Sequence, residues 1–303
     1  MSKTHFQQRK YVVKFLGEAL HNRRLAIFLG AGVSRDLIND GVAPIGLPTW
    51  PALIAKLYAG RRWDAPAGSN YYQQAEDFKN RLLAEGGTFE DFKGDVTQVL
   101  YGGINLDFAK IRENPTLAAI GALVSHSLRG QVAEVFTLNF DDVLERYLRY
   151  QGIIAKPVID EKFWSEPADV RVHHPHGFLP SPDSPFKVSS TFLVFDERSY
   201  LEQNSDSRWN QRIEVAMQSH ICLFIGLSRD DFHLKQLVSK TSKKHAFSSV
   251  RDGFWGVVLR ADPKIEEVRD WAQYHVHVES LTDYPTDLPA LLFAVCQSAA
   301  EFT

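Results

Sequence analysis

Along this chain, short wholly apolar runs alternate with stretches whose apolar positions recur every three or four residues. Tyr11 to Asn22 carries Val12, Phe15, Leu16, Ala19 and Leu20 at helical spacing, and the run Leu25-Ala26-Ile27-Phe28-Leu29 follows it and stops at Gly30. The pattern predicts a helix, a buried strand and then the glycine-rich turn Gly30-Ala31-Gly32-Val33-Ser34. From Thr49 to Arg129 the periodicity is helical, through Trp50, Leu53, Ile54, Leu57 and Tyr58, then Tyr71, Ala75, Phe78 and Leu82, then Phe89, Phe92, Val96 and Val99. Asn114-Pro115 reads as a helix cap followed by proline at the first helical position. Leu117, Ile120, Val124 and Leu128 give the following helix its apolar stripe, which ends at Gly130.

The second strong strand is Val132 to Leu138, after which Asn139-Phe140-Asp141-Asp142 leads into a short helix with Val143, Leu144, Tyr147 and Leu148, closed by Gly152. Ile153–Ile159, Val170–His173, Lys187–Val194, Ile221–Ile225, Trp255–Leu259 and Tyr274–Val278 are further expected strands. Asp262-Pro263 is expected to cap a helix that turns Ile265, Val268 and Trp271 inward. Continuous apolar strands alternating with helices imply a parallel sheet covered on both faces. The expected fold is α/β: a Rossmann-like doubly wound parallel sheet from about 1–48 and 130–303, interrupted by a helical insertion at 49–129.

Composition narrows the function without naming it. Over 303 residues, 34 basic against 37 acidic side chains leave a net charge of −3, so no global basic footprint points to nucleic acid or anionic lipid. The two cysteines, Cys222 and Cys296, supply neither a disulfide framework nor a four-cysteine zinc site. The N-terminus has no apolar run of signal-peptide length and no stretch approaches a membrane span, which makes the cytoplasm the expected compartment. No internal repeat, low-complexity tract or phosphate-binding Gly-x4-Gly-Lys-Ser/Thr pattern is present, and the end at Glu301-Phe302-Thr303 suits a complete chain and a piece of a longer one equally.

In open parallel sheets the ligand crevice lies beyond the carboxyl ends of the strands, so the residues just after strands are the candidates for chemistry. They are Gly30-Ala31-Gly32-Val33-Ser34, Leu138-Asn139-Phe140-Asp141, His173-His174-Pro175-His176-Gly177 and Gly226-Leu227-Ser228-Arg229-Asp230. Each has a plain alternative. The glycines suit any tight turn, Asn139 and Asp141 suit a helix start, and Ser228 suits a loop with Asp230 or Asp231 capping the next helix. Three histidines within four positions permit a metal site, yet no matching cysteine or glutamate ligand lies nearby, and a histidine that moves a proton is the favoured reading. Their joint placement after strands points to one crevice.

The ordered set Gly-Ala-Gly-x-Ser, Asn-x-Asp, His-Gly and Gly-x-Ser resembles the sirtuin superfamily, specifically its bacterial SIR2-like anti-phage defence branch. Leu47-Pro48-Thr49-Trp50, Thr137-Leu138-Asn139-Phe140-Asp141, His174-Pro175-His176-Gly177, Val194-Phe195-Asp196-Glu197-Arg198-Ser199-Tyr200-Leu201 and Gly226-Leu227-Ser228-Arg229-Asp230-Asp231 are similar to blocks of that branch. The resemblance covers about residues 25–240. It implies that Gly30, Ala31, Gly32, Ser34, Gly226 and Ser228 line an NAD+ dinucleotide, while Asn139, Asp141 and His176 surround the nicotinamide ribose.

The implied activity is NAD+ hydrolysis to nicotinamide and ADP-ribose, with NAD+ as substrate, no further cofactor and no zinc. Asn139 would orient the ribose or the attacking water, Asp141 would bond the ribose or stabilise positive charge, and His176 would accept a proton. The branch further implies an effector that depletes NAD+, works as a homo-oligomer and is switched on by assembly or by a separate activating protein such as an ATPase or phage sensor. Two departures separate the chain from protein-deacylating sirtuins, in addition to the absent zinc cysteines. Leu138 stands where they carry glutamine, and Pro48-Thr49-Trp50-Pro51 replaces their Pro-Asp-Phe-Arg block. The rival readings are a non-catalytic NAD or ADP-ribose sensor, an NAD-dependent protein deacylase, and an assembly subunit.

Overall fold

The structure, a computed structural model, describes residues 5–39, 44–125, 132–160, 167–187, 189–196, 198–199, 207–227, 232–245 and 253–302. Seven strands form one sheet in the order β5-β6-β4-β1-β7-β8-β9, and every neighbouring pair is parallel. They are β1 (Leu25–Leu29), β4 (Val132–Thr137), β5 (Ala155–Val158), β6 (Val170–His173), β7 (Ile221–Ile225), β8 (Gly256–Ala261) and β9 (Val276–Leu281). A separate antiparallel pair joins β2 (Ile38–Asn39) to β3 (Pro44–Ile45). The fold is the expected α/β Rossmann-like one.

The apolar run of β1 is explained by its central position. Leu25, Ile27 and Leu29 enter one core, and Ala26 and Phe28 enter the other, as the two-residue period of a strand requires. The first core takes in α1 (Arg9–His21), α6 (Pro115–Val124), α7 (Val143–Tyr150) and α11 (Asp287–Glu301). The second is closed by α8 (Ser207–Ser219), α9 (Phe232–His245) and the end of α10 (Ile265–Ala272), with Phe28 stacked 4.9 Å from Phe136.

Between β3 and β4 the chain is helical, through α2 (Trp50–Arg61), α3 (Tyr71–Ala84), α4 (Phe89–Tyr101), α5 (Phe108–Ile111) and α6. Reciprocal capping boxes start α3 at Asn70 and α4 at Thr88. Asn114 caps α6 as expected, accepting from the Leu117 amide at 2.8 Å, and its side-chain nitrogen donates to the carbonyls of Asp36 and Leu37. This cap therefore ties the helical stretch to the loop that follows β1. Buried apolar residues of α2, α3 and α4 are continuous with the core on that side of the sheet.

Two expected elements differ. Within Lys187–Val194 the described residues form no strand; they run over the carboxyl end of the sheet, where the amides of Ser190 and Val194 donate to the carbonyls of Phe178 and His176. The chain is already at the carboxyl end at Gly177, and the stretch 178–186 falls short of the dozen or more residues a parallel crossover needs to return to the amino end. The helix after Asp262-Pro263 starts at Ile265 with Lys264 as its cap, and Ile265 is 67% and Val268 38% exposed. Of its three expected inward positions only Trp271 packs on the sheet, 5.7 Å from Phe224, while Glu267 of the first turn pairs with Arg260 of β8 at 2.6 Å. Leu128, Gly130 and the serine-containing turn Ser228-Arg229-Asp230-Asp231 lie outside the described residues. Among the described residues no helix is long and apolar enough to cross a membrane.

Candidate functional site

The chain leaves β1 for β4 on one side and later crosses to β7 on the other, so strand order reverses at β1 and opens a crevice at the carboxyl ends. Leu29 is level with Thr137 and with Ile225, and Phe136 with His173, so β6, β4, β1 and β7 end together. The four candidate turns follow these four adjacent strands.

The turns after β1 and β7 are packed backbone to backbone. The amides of Gly30 and Gly32 donate to the carbonyls of Ile225 and Gly226, both at 2.9 Å. A Cβ at Gly30 would lie 2.6 Å from the Gly226 oxygen, and one at Gly226, whose φ is +67°, would lie 2.8 Å from the Val33 nitrogen. The glycines are thus required by the turn itself. The Val33 and Ser34 amides are likewise given to the carbonyls of Gly30 and Ala31, which leaves the Ala31 amide without a protein acceptor among the described residues of this turn.

Ser34 and Asp141 meet. The Ser34 hydroxyl donates to Asp141 Oδ1 at 3.3 Å, and the same oxygen accepts the Val143 amide at 3.1 Å. Asp141 accordingly serves as the helix-start residue of α7 and as the link between the turns after β1 and β4. Burial pushes its carboxyl up to about 7, the Val143 amide pulls it down, and Glu145 and Asp142 push it further up. Asp142, fully buried, is also raised by burial; it accepts from the hydroxyls of Tyr101 and Ser181.

Asn139 is half-buried, and both of its flanking peptides are fixed. Its amide donates to Thr137 Oγ1 at 3.2 Å and its carbonyl faces His174 Nδ1 at 3.1 Å, while its side-chain amide has no partner among the described residues. His176 is buried beside it and donates from its ring to the Leu138 carbonyl. Burial lowers its ring to about 4 against that bond, so at neutral pH it is uncharged.

The three histidines do not converge. His173 faces the opposite side of the sheet, 3.0 Å from Glu134 and stacked on Phe136; His174 contacts Glu145; His176 contacts Leu138. Among the described residues no group of three His, Cys, Asp or Glu side chains is placed to hold a metal ion. Cys222 and Cys296 are free thiols.

An aromatic cluster joins three further blocks. The Trp50 and Phe195 rings are 4.6 Å apart and Phe140 and Phe195 6.0 Å apart, so the segments holding Thr49-Trp50, Asn139-Phe140 and Phe195-Asp196 are packed together beside the crevice. Asp196 is fully buried, pairs with Lys79 of α3 and accepts the Ser199 amide at 2.7 Å.

Residues 133–278, from β4 into β9, match the family model described as SIR2-like domain. That segment is similar to SIR2-like domains. The chain is 23% identical over 234 residues to the NAD(+) hydrolase ThsA of Enterococcus faecium, a match covering 76% of this chain and 42% of that protein. The chain thus spans about two fifths of the length of this curated relative. The SIR2-like match takes in Asn139, Asp141, His176 and Gly226, while the Gly30–Ser34 turn lies outside it.

The sequence alone singled out His176 and passed over His174 and Glu145. The available signal was Glu145 itself, a charge among Val143, Leu144, Tyr147 and Leu148 on a helix whose buried face admits few polar groups.

Proposed function

We propose that this protein is an NAD+ glycohydrolase that cleaves the nicotinamide–ribose bond of NAD+ to give nicotinamide and ADP-ribose. The observation that carries this reading is Asn139: its backbone is tied on both sides, and its side chain is left for a ligand at the switch point, next to an uncharged buried histidine. The likeness to a protein named as an NAD(+) hydrolase supports the same chemistry.

Nicotinamide in NAD+ is a cationic leaving group, so the bond opens through an oxocarbenium-like state that calls for positioning and electrostatic support more than for a strong nucleophile. Asn139 orients the ribose or the attacking water. Asp141, held by Ser34 and Val143, bonds the ribose or stabilises the developing positive charge. His176 takes the proton from water as the new C–O bond forms and neutral nicotinamide departs with the electron pair of the broken C–N bond; the proton then passes to solvent. The dinucleotide lies along Gly30, Ala31, Gly32 and Gly226, where no side chain obstructs it, with Ser228 toward the adenosine side. NAD+ is the substrate and no zinc takes part.

In the cell this chemistry serves anti-phage defence by NAD+ depletion in the cytoplasm, kept quiet until homo-oligomerisation or a separate activating protein switches it on. The test is nicotinamide release from NAD+ by purified protein over a wide range of protein concentration, with no acyl peptide present. Release that is lost in both Asn139→Ala and His176→Ala is the expected result. Full activity in both variants, or release only when acyl-lysine is supplied, overturns the reading.

A further inference from the structure

We propose that His174 is a positioning residue: bridged between the Asn139 carbonyl and the Glu145 carboxylate, it fixes the peptide that aims Asn139 into the crevice. This deepens the hydrolase reading and rests on it. His174 is fully buried and cannot touch substrate, so its effect must pass through Asn139.

The ring is held on every side. Its backbone amide donates to the Val158 carbonyl at 2.9 Å and its carbonyl accepts the Gly177 amide at 3.1 Å, which pins the residue to the end of the sheet. Nδ1 is 3.1 Å from the Asn139 oxygen, Nε2 is 2.5 Å from Glu145 Oε1, and Phe178 packs edge-on at 4.7 Å. The two peptides flanking Asn139 are therefore each held by a histidine, the preceding one by His176 at the Leu138 carbonyl and the following one by His174.

Proton counting fixes the direction of the bridge. A carbonyl oxygen only accepts, so Nδ1 carries a proton whatever the charge of the pair. The single proton between Nε2 and Glu145 sits on either partner, and both arrangements keep Nδ1–H aimed at Asn139. Without Glu145 only the Asn139 carbonyl still favours the Nδ1–H tautomer, and the second hold on it is lost; in the other tautomer Nδ1 is bare and repels that carbonyl. Glu145 is 1% exposed, and its second oxygen has no partner among the described residues. A buried pair of this kind is a poor way to stabilise a fold, since apolar residues of similar volume commonly do as well or better. Its direct connection to the Asn139 peptide gives it a different purpose.

The test compares two variants of similar size. In His174→Asn the side-chain amide nitrogen occupies the place of Nδ1 and keeps the donor to Asn139; in His174→Gln it occupies the place of Nε2 and keeps the Glu145 contact. The expected result is a kcat for nicotinamide release lowered at least about tenfold in the Gln variant, with KM within about twofold, and restored to within about threefold of wild type in the Asn variant. Glu145→Gln, which can donate to Nε2 and hold the tautomer, retains activity, whereas Glu145→Leu does not. A second readout is independent of turnover. The carbonyl carbon resonance of Asn139, picked out by 13C-Asn and 15N-Phe labelling, moves upfield in the Gln variant and stays in place in the Asn variant. Equal activity of the two His174 variants, or an unmoved resonance in His174→Gln, overturns the proposal. A wild type that binds NAD+ but never releases nicotinamide overturns the hydrolase reading instead, and the resonance then still decides the bridge.

Discussion

His176 makes the site sensitive to acid in a way that can be worked through. Burial favours the uncharged ring and takes it from its ordinary 6.5 down to about 4. A group whose folded value is depressed contributes stability that is present above the unfolded value and is lost as pH falls through 6.5 toward 4. At pH 7.5 the ring is neutral in both states and the contribution is intact. At pH 4.5 the unfolded chain holds the proton almost fully and the folded protein holds it in a minority of molecules, a difference on the order of 2 to 3 kcal/mol. The assay is urea denaturation of wild type and His176→Gln at both pH values. Packing lost in the variant is independent of pH and cancels between the two conditions, as do the other titrating groups, which both proteins share. Wild type should lose on the order of 2 to 3 kcal/mol more than the variant on going from pH 7.5 to 4.5. Equal losses would mean that His176 is hydrated and titrates normally, and the assignment of a buried neutral base would fail with it.

Asp141 should behave in the opposite sense. Its folded value of about 7 lies above the ordinary 3.8, so the stability it contributes is present at low pH and is lost as pH rises through 7; Asp141→Asn should raise the urea midpoint relative to wild type at pH 8 and not at pH 3.5, while lowering turnover. Gly226→Ala should cost at least about 2 kcal/mol by chemical denaturation, because a left-handed backbone and a Cβ 2.8 Å from Val33 are both unfavourable. Combined with Gly30→Ala, which strikes the same contact, the losses should add to less than their sum. Asp196→Ala should cost about 3 kcal/mol or more, since it removes both the partner of Lys79 and the Ser199 cap; Lys79→Met should also cost measurable stability in the same denaturation series, since it leaves the fully buried Asp196 carboxylate without its cation. No cost in Lys79→Met would show that Asp196 acts as a cap alone.

The sheet was legible because its strands are buried on both faces. A run such as Leu25–Leu29 has no polar position to confuse with a helix stripe, and the turn residues that follow mark its end. Lys187–Val194 ends in the apolar run Phe192-Leu193-Val194, yet its described residues form no strand, because apolar content says what a segment can bury and nothing about which edge it can reach. The deciding quantity was the number of residues left to cross the sheet, which the pattern contains but composition hides. Ile265 and Val268 show the complementary limit: inward spacing on a helix has meaning only where the helix has something to face, and of this element's three spaced apolar positions only Trp271 faces the sheet.

The candidate site was legible to the extent that its residues lie directly after strands, since parallel topology then brings distant turns to one crevice without further information. That logic placed Ser34 against Asp141 and His176 beside Leu138 and Asn139. It could not choose between His174 and His176, which differ by two positions in one turn. Both rings are buried, His176 against the Leu138 carbonyl and His174 between the Asn139 carbonyl and a carboxylate, and that carboxylate, Glu145 of α7, comes from a separate stretch of chain. Nor could it foresee that the glycines are already committed to each other. The Gly30 and Gly226 turns use their freedom to interlock two backbones, so among the described residues of the first turn a dinucleotide would meet a surface made smooth by packing, with the Ala31 amide to offer in place of an open cradle. Specificity in such a crevice has to come from side chains, and this is why a residue that fixes the direction of Asn139 matters more here than another donor would.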